Sequence, residues 1–91
     1  MVLDVSPRGI AVMGGGGFRR GDVHEFDMVL DQQRFQGTVT VRSSIEVRPG
    51  RFRYGLQCNP DLPGQNLTAA LPELWIALQI KYLKATVQPD D

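Results

Sequence analysis

Asp4, Ser6 and Gly9 stand in the pattern Asp-x-Ser-x-x-Gly, with Arg8 inside it. These residue types suit the binding of a small polar ligand. A carboxylate accepts hydrogen bonds, a hydroxyl donates and accepts, a guanidinium carries permanent charge, and a glycine lets the backbone approach what is bound. Three fixed positions recur by chance in about a few per cent of chains this long, so the hexapeptide takes its meaning from its surroundings. It lies between two short apolar runs, Met1-Val2-Leu3 and Gly9-Ile10-Ala11-Val12-Met13. A polar turn between two strands would present Asp4, Ser6 and Arg8 together. Asp4 and Ser6 also have an ordinary alternative role, because both types bond nearby backbone amides in turns.

The elements that must position these groups read mostly as strands. Residues 2–5 and 10–13 form two strands joined by Ser6-Pro7-Arg8-Gly9, where Pro7 presets φ and Gly9 accepts φ > 0. Gly14-Gly15-Gly16-Gly17 is a loop with no side chains to order it. His24, Phe26, Met28 and Leu30 then alternate with Glu25, Asp27 and Asp31, which is the period of a half-buried strand. Asp31-Gln32-Gln33 makes a turn into Phe35, Gly37, Val39 and Val41, and Ile45 and Val47 continue irregularly to Pro49-Gly50. Phe52, Tyr54, Leu56 and Cys58 alternate with Arg51, Arg53 and Gln57. Short strands at regular turn spacing predict a small antiparallel β-barrel, closed or half-open, over residues 2–58.

The tail changes period. Leu67, Ala70, Leu71, Leu74, Trp75, Leu78 and Tyr82 recur at helical spacing and predict a helix over 67–83, with Asn66 as its cap. Pro72 lacks an amide donor, so the helix either starts near it or kinks there. Gln88-Pro89-Asp90-Asp91 reads as a frayed end.

Other chemistries are poorly supplied. The 91 residues make one domain, with ten basic residues against ten acidic ones, and this balance argues against a binder of DNA or RNA backbones. No apolar stretch reaches the length of a membrane span, and no secretory leader is visible. The lone Cys58 alternates with Phe52, Tyr54 and Leu56 and reads as core; a single cysteine suits a reducing, cytoplasmic setting. His24 reads as a packed histidine, with no second histidine or cysteine nearby to complete a metal site. The tetraglycine lacks the Gly-Lys-Ser/Thr ending of a phosphate loop, and Arg19-Arg20 reads as a solvated pair. No nucleophile–base pair stands out, so catalysis is not expected.

Three features together resemble the PilZ domain, the bacterial receptor module for cyclic di-GMP. They are Asp4-x-Ser6-x-x-Gly9 before an apolar strand, Phe18-x-x-Gly21-Asp22 opening a strand with Gly37-Thr38-Val39 in the next, and Tyr54-Gly55-Leu56 before a helix. The resemblance spans residues 2–83. It implies a non-enzymatic signalling module with cyclic di-GMP as candidate ligand and no cofactor. Asp4, Ser6, Arg8 and Gly9 would be its binding residues. In that family an Arg-x-x-x-Arg arm lies upstream of the turn and holds phosphate and guanine. Only three residues precede Asp4 here, which leaves no room for that arm. Asp4 and Ser6 can bond the donor edge of guanine, but they cannot neutralise two phosphates as guanidinium groups do. Arg8 and Arg53 are the candidates to compensate. The expectation is weak or deficient ligand binding. The alternative is a degenerate barrel that acts as a protein-interaction adaptor and binds no nucleotide. An unpaired first strand and the surplus apolar positions Trp75, Ile76, Ile80 and Leu83 further predict a homodimer or a protein partner.

Overall fold

The alternation seen in sequence folds as five antiparallel strands and one helix. The structure is a computed structural model that describes residues 2–87, with side chains described as far as Leu78. The expectations about Ile80, Tyr82 and Leu83 as side chains, and about residues 88–91, therefore lie outside the described residues. The strands are β1 (Val2–Val5), β2 (Gly9–Gly14), β3 (Val23–Leu30), β4 (Gln33–Arg48) and β5 (Arg51–Cys58), followed by α1 (Leu67–Val87). The sheet runs β1-β2-β5-β4-β3, so β1 and β3 are its two edges. It curls into a half-barrel, in accord with the mainly β reading of the sequence.

The curl has a local cause. β4 is 16 residues long, and its register against β5 shifts between Val41 and Ser43 and again between Glu46 and Arg48. Such bulges bend a strand and increase its twist. The first half of β4 therefore pairs with β3, while its second half leaves with β5. Between β3 and β4 the turn is Asp31-Gln32, with φ of 52° and 67°. Two consecutive positive φ values define the tight hairpin turn whose twist matches its strands.

The core forms where α1 lies against β1 and β4. Val5, Ile10, Phe35, Val39 and Cys58 from the sheet meet Leu67, Leu71 and Leu74 from the helix. Gly37 makes the fit possible: a Cβ there would lie 2.6 Å from the Leu67 Cβ. Pro72 neither starts nor ends α1 but sits inside it. A mid-helix proline costs about 3 kcal/mol. Burying Leu71 and Leu74 on either side of it returns about 1.5–3 kcal/mol each, which is enough to carry the helix through.

The cap expected of Asn66 is corrected. Its carbonyl accepts from Ala70 N at 3.1 Å, which opens the helix, but its side chain turns to β4. Gln36 N donates to Asn66 Oδ1 at 2.8 Å, and Asn66 Nδ2 donates to Arg34 O at 3.1 Å. The amide side chain thereby completes a part of β4 that β5 does not reach. Asp61 takes over the capping, accepting from Thr68 N at 3.0 Å and from Ala69 N at 2.9 Å. Both are orphan donors of the first helical turn.

Candidate functional site

The Asp4–Gly9 segment is a strand end and a tight turn, and much of its polarity is spent on holding that turn. Ser6 N donates to Gly9 O at 2.9 Å. Ser6 Oγ accepts from Arg8 N at 3.3 Å and from Gly9 N at 3.2 Å, so this hydroxyl closes the turn from inside. Asp4 Oδ1 accepts from Val5 N at 2.9 Å, which leaves Oδ2 clear of that bond. Gly9 is required by packing before any ligand is considered. It faces Gln57 across the β2–β5 ladder, and a Cβ on it would lie 2.1 Å from the Leu56 carbonyl oxygen. The Arg8 carbonyl accepts from Cys58 N at 3.2 Å, which ties the turn to the end of β5.

This turn forms one wall of an open groove of about 740 Å³. All four sequence candidates, Asp4, Ser6, Arg8 and Gly9, line it. Small residues from adjoining strands, Ala11 and Gly55, keep the surface beside them shallow. Arg42 stands in the same groove, where its Nε donates to Gln57 Oε1 at 2.5 Å. Sequence reasoning missed Arg42 and offered Arg53 instead. Arg53 faces Met13 and Ile45, further along the ladder, and is not part of the groove wall. Arg42 sits at the bulge of β4, and bulge placement is what alternation alone does not reveal. Arg19 is elsewhere too, its amide held by Asp22 Oδ2 at 2.9 Å.

The groove brings two guanidinium groups, Arg8 and Arg42, beside one carboxylate, Asp4. Among the described residues Arg34 and Asp27 form an ion pair and His24 Nε2 lies 3.6 Å from Asp22 Oδ2, so neither Arg8 nor Arg42 is neutralised by a carboxylate contact. Asp4 shares the groove with them and offsets one of the two positive charges. Cys58 also lines the wall, but burial first, and then the nearby Asp61 charge, push its thiol up to about 11. A thiol of that kind stays protonated near neutrality and is a poor nucleophile. His24 packs edge-on against Phe18 with ring centroids 4.8 Å apart, its side chain 39% exposed and its Nε2 without a hydrogen-bond partner among the described residues. Among the described residues no cluster of three or more His, Cys, Asp or Glu is placed to hold a metal ion. No helix among them is long and apolar enough to cross a membrane.

Comparisons with protein families, with curated proteins and with solved structures find no match.

Proposed function

We propose that the chain is a non-enzymatic signalling module of the PilZ type whose groove takes cyclic di-GMP weakly or not at all. The observation that supports this reading is the gathering of Asp4, Ser6, Arg8 and Gly9 at one groove, with Arg42 beside them. The Asp4 carboxylate suits the donor edge of guanine, and the shallow surface at Ala11 and Gly55 leaves room for a planar base. Arg8 and Arg42 supply two positive charges, and Asp4 takes one back, so the groove offers a net +1 to a ligand carrying two phosphates. Both guanidinium groups are exposed to water, where charge-assisted contacts are weakened by screening. Calorimetric titration with cyclic di-GMP tests the reading. The expected dissociation constant is weaker than about 10 µM, or less than about 7 kcal/mol of binding. Asp4→Ala and Arg42→Ala should weaken whatever binding is seen, and Arg19→Ala should leave it unchanged. Submicromolar affinity would overturn the deficiency.

The second reading is an interaction adaptor that keeps the barrel and binds no nucleotide. Two observations favour it. Ser6 Oγ and one oxygen of Asp4 are already engaged by the turn. Trp75 and Ile76, next to the buried Leu74, are 42% and 52% exposed on α1. A homodimer or partner contact there would cover them, and Trp75→Glu should break it. Light scattering during size exclusion distinguishes a dimer from a monomer. A monomer that Trp75→Glu does not alter would remove the helix from this reading.

A further inference from the structure

The half-barrel leaves a seam between its two edge strands, β1 and β3. We propose that this seam receives an extended segment of a partner protein in which apolar and basic residues alternate, added as a strand along β3. The inference rests on the seam alone and does not depend on what the groove binds.

The backbone of β3 is available on one side. Val41 bonds toward the β3 side through both its N–H and its C=O, while Gln36 bonds away from β3 through both of its own. Antiparallel ladders alternate in this way, so the odd-numbered residues of β4 bond β3 and the even-numbered ones do not. The β3 partners of the bonding residues are His24, Phe26, Met28 and Leu30. That leaves the N–H and C=O groups of Val23, Glu25, Asp27 and Val29 directed to the open edge. Val23 and Val29 are 58% and 66% exposed, so nothing among the described residues covers the strand at either end.

Beneath this edge the half-barrel is hollow. A cavity of about 350 Å³ opens there, with Val2 and Val12 on one side, Phe26 and Met28 on the other, and Tyr54 and Leu56 at its back. The helix fills the other part of the barrel interior, against Val5, Ile10, Phe35 and Val39. An added strand would project every second side chain into this cavity, which calls for apolar residues at those positions. Its other side chains would stand beside the outward residues of β3. The outward charged residues of β3 are Glu25 and Asp27, and no lysine or arginine lies within the strand; Arg34 of β4 bonds Asp27, so Glu25 is the main charge an added strand would meet. Opposite charges across a ladder stabilise it and like charges oppose it, so the outward positions call for lysine or arginine. The same rule disfavours a second copy of β3, because antiparallel self-pairing would set Glu25 and Asp27 against their own kind.

The test uses the full chain and a labelled, end-capped peptide of about nine residues that alternates valine and lysine, long enough to span a typical strand. Fluorescence anisotropy should show saturable binding that weakens with added salt. Hydrogen exchange should slow at the amides of Val23, Glu25, Asp27 and Val29. A valine–glutamate peptide, and a peptide of the same composition with its valines and lysines in two blocks, should not bind. Glu25→Lys should weaken binding about tenfold or more by reversing an opposed charge. Val29→Pro should also weaken it, because proline removes an edge donor without taking a bond from β4. Circular dichroism keeps both variants interpretable, and if one unfolds the other decides. The proposal is overturned if the folded chain shows no saturable binding at millimolar peptide, if either control peptide binds as well, or if Glu25→Lys leaves the affinity unchanged. It is also overturned if the β3 amides become protected as chain concentration alone is raised, since the occupant is then a second copy.

Discussion

β1 and β3 bound the same sheet, and the chain treats these two edges in opposite ways. β1 has four residues, its register slips between Val2 and Asp4, and α1 packs against it. β3 has eight residues in unbroken register, with Glu25 and Asp27 on its outward side. Short length, a bulge and a covering helix block strand addition by shape, whereas charge blocks only partners of the same sign. The β1 side is therefore closed structure that carries a groove on its turn. The β3 side is an open ladder with a preference. Each substitution below acts on one side and should leave the other intact.

Gly9→Ala should have the largest effect. The new Cβ would fall 2.1 Å from a backbone oxygen of β5, and backbone cannot swing aside as a side-chain tip can. The expected loss is about 2–4 kcal/mol in urea unfolding, at the upper end for overpacking. If Gly9→Ala instead left stability unchanged and altered only ligand affinity, the turn would be less fixed than its hydrogen bonds indicate.

Asp61→Ala should come next. It removes both acceptors for Thr68 N and Ala69 N at the start of the helix that covers β1. Losing a cap of this type costs about 1–2 kcal/mol. Exchange at the first-turn amides of α1 should speed up, and the β3 amides should not change. A matching speed-up in β3 would mean that the two edges are coupled through the core rather than held separately.

How much of this was legible in the sequence depends on the range of the contact involved. Alternation in 24–30, 35–41 and 52–58 marks which side of each strand faces inward, because burial imposes a period of two. The Asp4–Gly9 turn was legible for the same local reason. Arg42, Asp61 and the seam were not. Arg42 reaches the groove only because β4 is bulged. Asp61 caps α1 from seven residues before Thr68, outside the usual cap spacing, while Asn66, which has that spacing, is drawn off by β4. The seam depends on strand order, which no single segment encodes. Pro72 misled in the other direction, since its local cost is real but smaller than the leucine burial around it.

Cys58 sets a pH limit on the closed side. Its thiol sits at about 11 in the folded chain against an ordinary 9.0, raised first by burial and then by the Asp61 charge. Below about 9 the thiol is protonated in both folded and unfolded chains, and its contribution is fully present. As pH rises further, the unfolded chain releases this proton first. Unfolding then becomes easier until about 11, where the folded thiol also ionises. Urea midpoints taken across that range should fall more steeply for the native chain than for Cys58→Ala, whatever the offset caused by the lost side chain. Parallel curves would show that the thiol is not desolvated.

The smallest effect should come from Arg34→Ala, and it bears most directly on the difference between the edges. Arg34 Nε lies 3.0 Å from Asp27 Oδ1, and its terminal nitrogen lies 2.5 Å from Oδ2. These hydrogen bonds, and then the guanidinium charge, hold the Asp27 carboxyl below its ordinary value. A carboxyl shifted downward stabilises the fold above its unfolded value of 3.8, and that contribution fades as acid protonates it. The pair is exposed to solvent, so the neutral-pH melting temperature should barely move. At the edge the change should be visible, because Arg34 screens one of the carboxylates facing the seam. Without it, the valine–lysine peptide should bind about two- to threefold more tightly at low salt, and the gain should vanish at high salt. If the affinity instead stays level or drops, charge is not what selects the strand, and β3 is an edge read through its backbone and its hollow alone.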